Sequence, residues 1–141
     1  MRINKPGPYV DTDVLIWFLT GDDLKKQKAA AVIFEKVSKR ELVLCTPDTV
    51  IADTVYVLSS PRLYHLTRPQ IRDILTPLVG LSGFKVENKR SVLEPLVLYS
   101  ATSLDFGDAF LVSRVRQATK KIVYSYDHDF DNLNDVIRIE P

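Results

Sequence analysis

The sequence predicts an α/β protein: a three-layer α/β/α fold in which a central parallel sheet of four or five strands is flanked by helices. Three observations lead there. Short apolar runs rich in β-branched residues alternate with longer stretches whose apolar residues recur at helical spacing. Such alternation belongs to parallel sheets covered by helices on both faces. Proline and glycine punctuate the 141 residues without a shift of composition that would mark a linker, so residues 1–141 are expected to form one domain.

Taken in order, Tyr9-Val10 leads into Asp11 as the end of a buried strand over about residues 8–11, and the run Val14 to Leu19 begins a helix with Trp17 in its core face. Lys25 to Lys39 carries Ala29, Val32, Ile33 and Val37 at helical spacing between charges, an amphipathic helix. Leu42 to Cys45 reads as a second buried strand. Thr46-Pro47-Asp48 then has the parts of a helix start, a capping hydroxyl, a proline in the first turn and an acid, and that helix is expected to run to Ser59. A helix over residues 68–79, a short strand over 83–87 and a helix over 91–100 follow. Asp105 is placed to cap a helix that has Asp108 in its first turn and reaches Lys120. Residues 121–126 form a strand, and 136–139 a last edge strand.

Composition excludes several classes. Hydrophobic and charged fractions of 45% and 26% rule out disorder and fibrous repeats. The longest uncharged apolar stretch is far short of the ~20 residues of a membrane span, and no basic-then-apolar leader opens the chain, so a cytoplasmic protein is expected. Cys45, the one cysteine, sits in an apolar run and reads as a small buried hydrophobe in a reducing compartment. A formal net charge of +1 does not by itself announce nucleic acid.

Sites in open parallel sheets form beyond the carboxyl ends of strands. Two acid clusters stand there, Asp11-Thr12-Asp13 and Asp127-His128-Asp129-Phe130-Asp131. Asp53 lies on a helix apolar nearly all round and is expected to be buried, where a carboxylate needs a counter-ion, a metal or a proton. Asp108 opens a helix. Each alone has a plain structural reading, as a turn residue, a cap, a buried ion pair or a first-turn acid. Together, parallel-sheet geometry is expected to bring Asp11, Asp53, Asp108 and Asp127 to one cleft, where carboxylates repel one another unless a cation lies among them; all-oxygen ligands suit Mg²⁺ or Mn²⁺.

Four segments carry a resemblance: Val10 to Leu15, Ile51 to Leu58, Phe106 to Leu111 and Val123 to Phe130. In that order and spacing, over the whole chain, they resemble the PIN-domain nucleases, and especially the single-domain VapC-like toxin ribonucleases of toxin–antitoxin systems. The resemblance implies a metal-dependent endoribonuclease in which Asp11, Asp53, Asp108 and Asp127 are the metal-binding and catalytic acids, with Asp129 and Asp13 second and Ser125 as a supporting hydroxyl. It also implies a homodimer, with the apolar stretch from Leu58 to Leu78 as its face or as core, and a small antitoxin protein as partner. One departure stands out, since the family usually has glutamate where this chain has Asp53, one methylene shorter.

RNA would be held through phosphates by Lys25, Lys26, Lys28, Arg68, Arg72, Arg114 and Arg116, each of which also reads as part of a solvated helix face. Tyr64 and Tyr126 are candidates to stack on a base. His65 reads as a surface residue, and strand alternation points His128 away from Asp127. Two other readings compete: a haloacid-dehalogenase-like phosphatase using Asp11 and Asp13 with Asp127 and Asp131 as late metal acids, and a PIN-like binding module whose site has decayed.

Overall fold

The structure, a computed structural model, describes residues 7–141. The chain forms two compact units, Met1–Lys89 and Arg90–Pro141.

The first unit contains α1 (Thr12–Thr20), α2 (Leu24–Ser38), β1 (Leu44–Thr46), α3 (Asp48–Ser59), α4 (Arg68–Gly80) and β2 (Phe84–Val86). Three of these four helices are started by a side-chain cap. The Asp11 carboxylate accepts from the Thr12 N–H at 2.7 Å, and Gly21 ends α1 at φ 67°, where a side chain would be strained. Asp23 caps α2, and Thr67 with Gln70 closes a reciprocal capping box on α4. The α3 start differs from the expected one. Pro47 takes the cap position with no side-chain bond, while the buried Thr46 hydroxyl donates instead to the Val10 carbonyl at 2.9 Å. A buried hydroxyl needs a partner, and tertiary packing offered a better one than the helix end.

The core of this unit is built on Leu15, Ile51, Leu58, Ile71, Leu75 and Phe84. Phe34 stacks on Phe18 at 4.5 Å and meets Phe84 edge-on at 5.7 Å. Gly83 is required by packing: a Cβ there would stand 2.8 Å from the Val37 carbonyl. Leu58, Ile71, Leu75 and Leu78 are buried within the unit, so most of this apolar stretch is core, while Leu63 is exposed.

The second unit contains α5 (Lys89–Ala101), which begins at the boundary, α6 (Phe106–Gln117), β3 (Ile122–Tyr124), a 3-10 helix (His128–Asn132) and β4 (Ile137–Ile139). Leu104, Val112, Val123, Phe130 and Val136 form its core cluster. The Asp105 carboxylate accepts from the Asp108 N–H at 2.7 Å and starts α6 as expected.

The chain is α/β, and among the described residues its backbone bonds draw two parallel strand pairs, β1 with β2 in the first unit and β3 with β4 in the second. The segment expected as a strand over 8–11 gives one bridge, Tyr9 to Cys45. The reason is local. Pro8 has no N–H to donate, and the chain turns at Asp11 into α1 two residues past the bridge. Helix α6 likewise ends at Gln117, short of Lys120.

Candidate functional site

In the first unit the acids sit on helices. Asp11 and Asp13 both line a cleft of about 350 Å³ at the start of α1, and Asp11 is exposed. Asp53 is exposed too, which corrects the expectation of burial. The buried stripe of α3 is Val50, Ile51, Thr54, Val55 and Leu58, so Asp53 falls on the opposite side with Thr49 and with Tyr56, itself 77% exposed. The apolar residues flanking Asp53 in sequence do not share its face. Trp17, expected in the core, is half-exposed and lines the same cleft, with the Lys26 ammonium 4.6 Å above its ring.

In the second unit the acids crowd one another. Burial first, and then the negative charges of Asp105, Asp127 and Asp129, push the Asp108 carboxyl above the usual carboxylate range. A chain of short bonds shapes the loop that carries Asp127 and Asp129. The Ser125 hydroxyl accepts from the Asp127 N–H at 3.0 Å, and the Asp127 carboxylate accepts from the Asp129 N–H at 2.9 Å. Ser125 thus touches the backbone of Asp127.

Behind that loop stands Arg138, whose side chain is only 11% exposed. Its guanidinium donates to both carboxylate oxygens of Asp131 at 2.8 and 3.1 Å, to Glu140 at 2.8 Å and to the Ser125 carbonyl at 3.1 Å. One side chain on β4 therefore ties together the end of β3, the 3-10 helix and the chain's last residues. The Arg138 bonds, and His128 after them, hold the Asp131 carboxyl below its usual range. His128 turns its Nδ1 to Asp131 at 3.1 Å. Sequence reasoning missed both Arg138 and the part played by Asp105 beside Asp108. The signal for Arg138 was there as a lone cation between Ile137 and Ile139, in a strand otherwise apolar.

The expected phosphate contacts divide. Arg116 pairs with Asp135 at 2.8 and 3.1 Å, Arg72 pairs with Asp73 at 2.9 Å, and Arg114 lies 5.0 Å from the Phe110 ring centre. Arg68 is half-buried at the first position of α4. Lys25, Lys26 and Lys28 are exposed on α2.

Among the described residues no three His, Cys, Asp or Glu side chains converge closely enough to form a ready metal site. The chemistry of the second unit's acids nevertheless fits a hard cation. Asp105, Asp108, Asp127 and Asp129 offer only oxygen donors, and their mutual repulsion, felt at Asp108, is of the kind a bound divalent ion relieves.

The sequence matches the PIN domain model over residues 9–136, and the chain belongs to the PIN domain family. PIN domains are generally nucleases that need divalent metals such as Mg²⁺ or Mn²⁺ and bind nucleic acid. No curated protein matches the chain. The family match gives no support to the phosphatase reading of Asp11 and Asp13. No helix among the described residues is long and apolar enough to cross a membrane.

Proposed function

We propose that this chain is a metal-dependent endoribonuclease, a VapC-like cytoplasmic toxin that works as a homodimer and is held inactive by a small antitoxin. The observation that carries the reading is the PIN domain match over residues 9–136, and the charges of Asp105, Asp127 and Asp129 acting on Asp108 support it. The 141 residues act as one functional domain, and Asp11, Asp53, Asp108 and Asp127 are its metal-binding and catalytic acids, with Asp129 and Asp13 in reserve.

A bound Mg²⁺ or Mn²⁺ would supply an activated water and neutralise charge building on the phosphate. The protein's share is placement and charge. Asp108 and Asp127 give carboxylate oxygens, while Asp105 and Asp129 keep the surroundings negative enough to draw a cation in. Ser125 holds the backbone of Asp127, and Arg138 holds Ser125 and Asp131. Asp11 spends one carboxylate oxygen on the Thr12 N–H, which fixes the orientation of the other. No side chain is required to attack phosphorus.

The test is cleavage of end-labelled single-stranded RNA by the purified protein with Mg²⁺, with Mn²⁺ and with EDTA, beside Asp11→Asn and Asp108→Asn and with matched DNA. Metal-dependent RNA cleavage lost in both variants is expected. Cleavage surviving both substitutions would remove the acids from the reaction, and preference for DNA would remove the ribonuclease assignment.

A further inference from the structure

The cleft beside Asp11 is mostly apolar, which is not what a phosphate or a metal asks for. Its walls are Ile16 and Trp17 of α1, Val57 of α3, and Leu63 and Tyr64 of the following loop, with Asp11 and Asp13 at one edge. The geometry points to a nucleobase subsite: one unstacked base of a single-stranded nucleic acid seats between Trp17, Leu63 and Tyr64, next to the scissile phosphate. This inference rests on the nuclease reading, because a strand whose phosphate is held at Asp11 must lay a neighbouring nucleoside close by.

Four features of the cleft agree with that occupant. Its volume, about 350 Å³, lies at the small end of ligand pockets, which suits one base better than an extended peptide. Aromatic and apolar walls favour a flat ring, since stacking on such a platform works for every base. The lining offers no cation to pair with a phosphate inside, whereas a neutral base needs none. Lys26, 4.6 Å over the Trp17 ring, puts a cation next to the cleft, where the nucleotide's own phosphate would lie.

The loop that presents Leu63 and Tyr64 is built before any ligand arrives. Leu63 and His65 donate their N–H groups to the Ser60 carbonyl, both at 3.0 Å, and Leu66 donates to the Leu58 carbonyl at 2.9 Å. The Tyr64 hydroxyl donates to Asp22 at 2.9 Å, which fixes the ring. Leu63 is nevertheless 62% exposed, so a large apolar side chain is held out to solvent by a fixed loop. Duplexes keep their bases stacked and paired, so the cleft selects single strands.

Trp17 is the chain's one tryptophan, and its emission therefore reports on this cleft alone. The experiment titrates the full chain in EDTA with a mixed-sequence RNA octamer, single-stranded and annealed to its complement, for the parent, Leu63→Glu, Lys26→Ala and Tyr64→Phe. Saturable quenching by the single strand and not by the duplex is expected. Leu63→Glu weakens it at least fivefold, about the low end of what one stacked base contributes. Lys26→Ala lowers affinity and flattens its salt dependence by about one unit of slope, and Tyr64→Phe, which keeps the ring but frees it from Asp22, weakens binding less than Leu63→Glu does. Equal quenching by the duplex, or parental affinity in a folded Leu63→Glu variant, overturns the subsite. Quenching without cleavage in Mg²⁺ or Mn²⁺ keeps the subsite and removes the nuclease; cleavage without quenching does the reverse.

Discussion

The two units present their acids in opposite ways. In the first, Asp11 is exposed at the cap of α1, and Asp53 is exposed on the side of α3 opposite its buried stripe. In the second, Asp108 is partly buried against three like charges, and the loop carrying two of them is strapped by an arginine. Negative charge that is spread out costs the fold little. Charge that is gathered is held against its own repulsion, and structure is needed to hold it. The gathered set is thus where function and stability pull apart.

Substitution sharpens that contrast most at Asp108. Asp108→Asn is expected to lower metal-dependent RNA cleavage by at least about 100-fold in a fixed-time gel assay, because the cation loses a central donor. Parental cleavage by this variant would mean the gathered acids serve only the fold. The next effect in size is at Arg138. Arg138→Ala removes the strap, and kcat should fall about tenfold with KM little changed, since the loop is mispositioned rather than emptied. Arg138→Lys, a single point charge in place of a fork, should recover only part of it.

A smaller effect is expected in the first unit. Asp53→Glu restores the reach that the family usually has at this position, so cleavage should rise severalfold while stability shifts by no more than about 0.5 kcal/mol, as for an exposed site. A drop in cleavage would show that this helix stands closer to the reaction than a glutamate allows.

The smallest effect is thermodynamic and has the opposite sign to the first. The Asp108 carboxyl is raised in the folded chain, so its contribution to stability is present while it is protonated and is lost as pH rises through its folded value. At pH 7 in EDTA, Asp108→Asn should therefore melt about 1–2 °C higher than the parent, and the gap should close on acidification below the carboxylate range. A lower melting temperature at pH 7 would break the contrast between the units.

How much of this was legible depended on how local the cause was. Asp105 capping α6, the helix expected over 68–79 and found over Arg68–Gly80, and the strand expected over 83–87 and found over Phe84–Val86 follow from a few neighbouring residues. Thr46 looked like a cap, yet its hydroxyl was taken by Val10, 36 residues away. Asp53 was misread because counting apolar neighbours ignores which face of the helix they occupy. The expected strand over 8–11 was reduced to one bridge by Pro8 and by the early turn into α1. Arg138 was silent because its partners, Ser125, Asp131 and Glu140, become a set only once β3 and β4 pair.

The three residues of β1 are all buried, whereas β4 shows its first and last residues to solvent. In amide hydrogen exchange this becomes a difference in opening: protons of Leu44 and Cys45 should outlast those of Ile137 to Ile139 by orders of magnitude, since exposed strand ends open locally long before a buried one does. Arg138 sits in the middle of the faster strand. A cation that binds the closed acid loop would then slow exchange in β4, so occupancy of the acids can be read on a strand that contains none of them.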